Sequence, residues 1–212
     1  MLVLDKLLKI QLFFKLILFF AHLQAVLIPI FLGIKSYKKF KHIRFPLLPT
    51  YAFISLGLAS MFEMLDHTAT DWIYVDHTTI FNWLFYSFLS LGLSLFTISI
   101  ARNKLNIILN ILFLIAAIFS YWLLGKYITL IFQIFISILL ISHWWKRFKD
   151  LVFLIYPLTG VLCTTLFGII LSNTGEQVWH LFIGPSGTIS VFTFYAVLCR
   201  SRKKEVIITN YN

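Results

Sequence analysis

Seven predominantly apolar blocks of about 20 residues, separated by short polar stretches, constrain this chain more than any other feature of its sequence. A helix of about 20 residues crosses the ~30 Å hydrocarbon core of a bilayer. Only 12% of the residues are charged, against about 25% in an ordinary soluble domain. The blocks are continuously apolar rather than alternating, which argues against a transmembrane barrel. We therefore expect an all-α, polytopic membrane protein, a seven-transmembrane-helix bundle that forms a single domain over residues 1–212.

The boundaries of the spans follow from the polar stretches between the blocks. The predicted spans cover residues 10–34, 46–65, 79–101, 105–124, 127–145, 151–172 and 176–199. Spans 4 and 5 are divided only by Gly125 and Lys126. If these two spans formed one helix, only six crossings would remain. The basic loops and the basic tail would then no longer all lie on the same side of the membrane.

The basic residues predict the orientation of the bundle. The loops after spans 1, 3 and 5 and the tail after span 7 hold nearly all of the 18 Lys and Arg. The exceptions are Lys6, Lys9, Lys15 and Lys126. This asymmetry is the positive-inside pattern and predicts an N-out, C-in integral membrane protein. The net charge of +10 therefore does not indicate nucleic acid as a partner, because that would need a basic face on a soluble body.

The eight carboxylates are distributed unevenly. By the predicted topology, five of them meet on one membrane face, at or near the outer ends of spans 2, 3 and 7: Glu63, Asp66, Asp71, Asp76 and Glu176. The same face receives His67, His77 and His180. An ionisable group in the middle of a membrane costs about 2.5–3.5 kcal/mol on insertion scales. Such a cluster therefore predicts a functional site, with a metal ion or protons as its partner.

Within this cluster, two carboxylates each lie four residues before a histidine. These pairs are Glu63 with His67 and Glu176 with His180. Residues i and i+4 share a helix face, so each pair can present two ligands to one ion. Ser60 precedes Glu63 by three residues and extends the first stripe. Imidazole nitrogen and carboxylate oxygen suit Zn²⁺ or a non-haem iron, and the absence of thiolates argues against a structural zinc site.

The alternative to a functional site is a purely structural role for the same residues. Asp66, Asp71 and His77 lie in or beside an aqueous loop, where they would be solvated or would cap a helix. An interfacial salt bridge or hydrogen-bond network that locks the bundle would account for the others. Three further histidines are interpreted as structural and outside the cluster: His22 in span 1, His42 and His143.

Two other features bear on where a ligand could bind. The segment Gly184-Pro185-Ser186-Gly187 interrupts span 7 just below the cluster, which indicates either a cavity or a packing kink. Aromatic residues near the span ends, among them Trp83, Trp122 and Trp144, are typical of an interfacial belt rather than of a pigment site.

Two short segments resemble the alkaline ceramidase superfamily, which also includes progestin and adiponectin receptors. The segment 175–181, Gly-Glu-Gln-Val-Trp-His-Leu, is similar to the last-helix segment that supplies two zinc histidines in that superfamily, and His180 falls on the second. Val75-Asp76-His77 resembles its Leu-Asp-Glu segment, whose aspartate lies beside the zinc-bound water. The chain departs from the pattern at Glu176, which replaces the first zinc histidine. It departs again in span 2, where Met64 follows Ser60 at the place of the superfamily's histidine.

The resemblance implies a metal-dependent intramembrane hydrolase that acts on a lipid amide or ester. Zinc would be held by His180, Glu176 and either His67 or Glu63, and would activate a water for attack on the carbonyl. Asp76 would act as general base, and Ser60 would steady the oxyanion or the water.

The alternative is a non-catalytic protein, either a sensor of a membrane lipid or other ligand or a structural protein. The superfamily itself contains receptors, so fold analogy does not decide between the two. A proton or ion carrier is a third hypothesis. It would need polar residues through the bilayer, and the inner halves of the spans offer only a few.

Overall fold

A computed structural model describes residues 12–40, 45–69, 79–101, 103–149, 151, 155, 184–185 and 187–201 of the chain. The five long helices of this part are α1 (Leu12–Lys39), α2 (Leu48–Ala69), α3 (Ile80–Ile100), α4 (Lys104–Leu124) and α5 (Lys126–Phe148). A shorter helix, α6, covers residues 187–201. All five long helices are long and apolar enough to cross a membrane. They confirm the first five predicted spans, whereas predicted span 6 falls almost entirely outside the described residues.

A single residue, Gly125, forms the turn between α4 and α5. Gly125 has a φ of +86°, a conformation that residues with a Cβ rarely adopt. Its backbone N–H still donates to the carbonyl of Tyr121, 3.1 Å away, and so closes the last turn of α4. Spans 4 and 5 are therefore distinct helices, as the sequence predicts.

The helices pack mainly against their neighbours in the sequence, α2 between α1 and α3, and α5 against both α3 and α4. Several of the tightest contacts between α3, α4 and α5 are polar. Gln133 donates to Ser90 Oγ at 2.9 Å, the Tyr121 hydroxyl donates to Asn82 at 2.7 Å, and Ser94 donates to Asn110. Interhelical hydrogen bonds of this kind stabilise membrane bundles, in which apolar packing alone gives little preference over lipid.

One end of the bundle holds the hydrophobic core and many of the described cations. Phe40, Phe53, Phe96, Trp144 and Leu198, from α2, α3, α5, α6 and the residue after α1, belong to one buried cluster. Trp144, which the sequence places near the end of a span, is 0% exposed and packs in this cluster, so its side chain faces the bundle rather than lipid. We call this the basic end, since Lys35, Lys39, Lys104, Lys146, Arg147 and Arg200 lie near it.

The opposite end, which we call the polar end, holds the first half of α1, the last half of α2 and the first half of α3. Residues 184–185 also lie here: an added Cβ on Gly184 would be 2.6 Å from the carbonyl oxygen of Ala21. α6 therefore runs from the polar end towards the basic end, which is the direction predicted for the last span. The N-out, C-in orientation relative to a membrane stays a prediction.

Candidate metal centre and adjoining cavity

Three ionisable side chains converge at the polar end of the bundle. His22 from α1 and Glu63 and His67 from α2 each offer one ligand atom, and these three atoms lie within 4.8 Å of one another. The two imidazole rings meet edge to face, with centroids 5.2 Å apart and an interplanar angle of 70°. Glu63 and His67 share a face because they are one helical turn apart. Two helices thus present two nitrogens and one carboxylate oxygen to one point.

The backbone sets the tautomer of His22. Its Nδ1 lies 2.9 Å from the carbonyl oxygen of Leu18, one turn earlier on α1, and donates to it. The other ring nitrogen, Nε2, then carries the lone pair that a metal ion binds. The His22 side chain is 1% exposed and that of His67 is 5% exposed. Both imidazoles are therefore held inside the bundle rather than turned towards lipid.

A cavity of about 400 Å³ adjoins this triad. Its walls come from α1, α2, α3, α5 and α6, and Ser60, Glu63 and His67 line it together. These three residues therefore share one face of α2, as the predicted stripe requires, and their roles as metal ligands or catalytic groups stay a prediction. The volume lies within the range of about 300–1,000 Å³ that is usual for small-molecule sites.

Asp66, on the same helix, belongs to a different arrangement. It is 6% exposed, and the Thr79 hydroxyl donates to its Oδ1 at 2.5 Å. The same Thr79 oxygen accepts from the backbone N–H of Asn82 at 3.0 Å and caps the N-terminus of α3. Of the two alternatives predicted for Asp66, solvation is wrong because the side chain is buried. Asp66 instead supports the cap of α3 through Thr79, and so joins the end of α2 to the start of α3.

Gly184 brings the last helix close to His22. An added Cβ at this position would be 2.6 Å from the Ala21 carbonyl oxygen and 3.7 Å from the backbone nitrogen of His22. Gly184 and Gly187 both line the cavity. Gly184, Pro185 and Gly187 are all helical, so the interruption predicted for this segment is not seen at the three of its residues that the structure describes.

The remaining predicted site residues, Asp76, Glu176 and His180, lie outside the described residues, as do Asp71 and His77. The structure brings together Ser60, Glu63 and His67, and adds a residue that the sequence analysis set aside. The expectation that His22 lies outside the cluster is wrong.

The observed helix ends explain why His22 lies beside Glu63 and His67. His22 lies 17 residues before Lys39, the end of α1, and Leu65 lies 17 residues after Leu48, the start of α2. In two antiparallel helices joined by a short loop, residues equally far from the loop lie at the same height. Position 65 lies between Glu63 and His67, so the observed register places His22 level with both. With the predicted span ends at residues 34 and 46, the same count reaches position 58, so the sequence alone does not find His22.

Comparison with known proteins assigns the chain to a family. A sequence profile described as seven transmembrane receptor matches residues 14–204, which is most of the chain. The match is to this family and not to the alkaline ceramidase superfamily that the two short segments resemble. No curated protein and no solved structure matches the chain. Five of the described helices are able to span a bilayer, and the profile matches most of the chain. The chain is therefore an integral, multi-pass membrane protein and belongs to the seven-transmembrane receptor family.

Proposed function

We propose that the protein is a receptor for a small lipid-like ligand, which occupies the intramembrane cavity and binds through its polar group to a metal ion held by His22, Glu63 and His67. One observation carries this proposal. Three ligand atoms from two helices lie within 4.8 Å of one another, and two of the three residues line a 400 Å³ cavity. Membership of a receptor family supports a ligand-binding role over a purely structural one.

The donor set favours a zinc-type ion. Two imidazoles and one carboxylate are the protein ligands of many catalytic or ligand-binding zinc sites, which keep a fourth position open. Ligand atoms around a tetrahedral Zn²⁺ lie about 3.4 Å apart, because each is about 2.0–2.1 Å from the ion. The three ligand atoms, within 4.8 Å of one another, would have to move closer by side-chain rotation to reach that spacing. The same donors also suit non-haem Fe(II), so metal analysis decides between the two ions.

The shape and chemistry of the cavity indicate the class of ligand. Its polar groups include Glu63, His67 and Ser60, whereas Leu89, Leu93, Val191 and Phe194 add apolar surface. A ligand with an alkyl or acyl chain and an oxygen-bearing head group would match both parts. A membrane lipid or a product of lipid cleavage has this composition and would enter from the bilayer.

An alkyl hydroxamate tests the metal and the cavity together. Octanohydroxamic acid has a metal-binding head and an eight-carbon chain, and octanamide is the matched probe with a weaker head. We expect the zinc-loaded, detergent-purified protein to bind the hydroxamate about tenfold or more tightly than the amide, by calorimetric titration. Removing zinc with a chelator should abolish the difference.

Two variants separate the metal from the cavity. His67→Asn should remove hydroxamate binding and zinc together. Gly187 lines the cavity, and an added Cβ there meets nothing within 4 Å. Gly187→Leu should therefore add apolar volume to the cavity and weaken hydroxamate binding while zinc stays bound. Equal binding of both probes by the wild type would contradict the proposal. Ile189→Phe, on the exposed face of α6, is the matched control for Gly187→Leu.

A metal-dependent lipid hydrolase is the second candidate, and one observation favours it. Ser60 lines the same cavity as Glu63 and His67, so a hydroxyl lies beside a donor set typical of catalytic zinc. In this proposal the metal would activate water, Ser60 would steady the oxyanion and Asp76 would act as general base.

Measuring fatty-acid release distinguishes the hydrolase from the receptor. The receptor proposal predicts no zinc-dependent release from lipid amides and esters mixed with the purified protein, as followed by mass spectrometry. Release that Asp76→Asn abolishes, with zinc still bound, would establish the hydrolase instead.

A further inference from the structure

A second cleft, of about 270 Å³, lies at the basic end of the bundle, far along the helices from the metal-site residues. It is lined by Ile100 at the end of α3, Asn103 and Asn106 at the start of α4, and His143, Lys146 and Arg147 at the end of α5. None of these six residues is acidic. The cleft shares no lining residue with the cavity beside the metal site.

The basic side chains of the cleft come from one face of α5. His143, Lys146 and Arg147 are at positions i, i+3 and i+4, which place them on the same side of the helix. Arg147 is partly buried and Lys146 is exposed. A guanidinium and an ammonium beside each other are the usual means of holding a phosphate group, the first through its planar fork and the second as a mobile point charge.

The opposite wall of the cleft is the N-terminus of α4. The Asn103 side chain caps this helix by accepting from the backbone N–H of Leu105 at 3.0 Å. The positive end of the helix dipole therefore adds to the charges of Lys146 and Arg147. Asn106, one turn further, contributes an amide that can donate to an anion or accept from it.

His143 supplies an independent indication of a ligand. Its Nδ1 donates to the carbonyl oxygen of Leu139 at 2.5 Å. Its other nitrogen, Nε2, is buried and has no hydrogen-bond partner in the part of the chain that the structure describes. A buried polar atom of this kind calls for a partner. A phosphate group provides one for either form of the ring, because a neutral imidazole accepts from a phosphate hydroxyl and an imidazolium donates to a phosphate oxygen.

We infer that this cleft binds a phosphate group, either the head group of an anionic membrane lipid or a soluble phosphate. The positive-inside rule places the basic end at the leaflet that is richer in anionic lipid, where basic pockets between helices bind such head groups. The site is independent of the metal centre, so its test does not require a receptor or hydrolase function.

Native mass spectrometry and thermal unfolding of the full-length protein test the inference. One arm uses nanodiscs of phosphatidylcholine with and without phosphatidylglycerol or phosphatidic acid. The other uses nanodiscs of phosphatidylcholine alone with added glycerol 3-phosphate or inorganic phosphate. Retention of the anionic lipids supports a head-group site, and an upward shift of the unfolding temperature with the soluble phosphates supports a soluble ligand.

Two variants alter the cleft in different ways. Lys146→Gln with Arg147→Gln should lower retention of the phosphate ligand by about tenfold or more. Asn106→Leu keeps the net charge and removes only one side-chain amide from the lining of the cleft. It should lower retention of the phosphate ligand by about threefold. The matched control, Lys35→Gln with Arg200→Gln, changes the net charge equally at the same end and should have less than about a twofold effect.

The inference is overturned if neither lipids nor soluble phosphates bind above the level of phosphatidylcholine. It is also overturned if the control pair loses as much binding as the Lys146 and Arg147 pair, because the effect would then be one of general charge. Loss of binding confined to the cleft variants supports it, whichever source supplies the phosphate.

Discussion

At the scale of single residues, the polar end contains two carboxylates with different surroundings. Glu63 lies beside two imidazoles and lines the cavity, whereas Asp66, three residues further along α2, accepts from Thr79. Although these two carboxylates are only three residues apart on α2, they belong to different arrangements. Glu63 is the ligand candidate, and Asp66 holds the start of α3 in position.

The Asp66–Thr79 pair gives a stability prediction. Thr79→Val removes the donor to a buried carboxylate oxygen and the N-cap of α3 together, so we expect the variant to lose about 2 kcal/mol in the free energy of unfolding. Thr68→Val is the matched control, because the exposed Thr68 hydroxyl donates only to the carbonyl of Met64 on its own helix. Reversible unfolding in mixed detergent measures both. A Thr79→Val protein as stable as the Thr68→Val protein would contradict the assigned role of Asp66.

At the scale of helices, the site depends on how α1 is held by its neighbours. α2 supplies Glu63 and His67, and Gly184, three residues before α6, lies against the backbone of α1 at Ala21, the residue before His22. A contact of backbone against backbone needs a residue without a side chain, which explains glycine at position 184. Packing of Gly184 on α1 therefore bears on the position of His22 as well as on the stability of the bundle.

Gly184→Ala tests this link between helix packing and the site. An added Cβ at 2.6 Å from the Ala21 carbonyl oxygen has to displace backbone, so we expect a loss of about 1–3 kcal/mol in stability. We also expect weaker zinc affinity, because His22 moves with α1. Gly187→Ala, one turn along in open space, is the control and should retain both properties. Unchanged zinc affinity in Gly184→Ala, measured with a competing chelator, would show that packing at Gly184 does not position His22.

At the scale of the whole molecule, single-helix patterns predicted much of the fold and part of the site. Block length and basic loops were enough to find the first five spans, and the spacing of Ser60, Glu63 and His67 was enough to place them on one face. His22 was missed because its partners lie on another helix, and periodicity within one helix carries no information on height between helices. The burial of Trp144 was not predicted for a related reason, since the end of a span can be buried by neighbours that the sequence does not reveal.

The central claim is that His22, Glu63 and His67 form one metal site, and the metal content of the purified protein tests it most directly. Inductively coupled plasma mass spectrometry of the full-length protein, after zinc loading and removal of excess metal, should find about one ion per chain in the wild type. His22→Asn should retain about a tenth of that or less, whereas His143→Asn, at the opposite end, should match the wild type. A wild type without bound metal, or a His22→Asn protein with the wild-type content, would contradict the account.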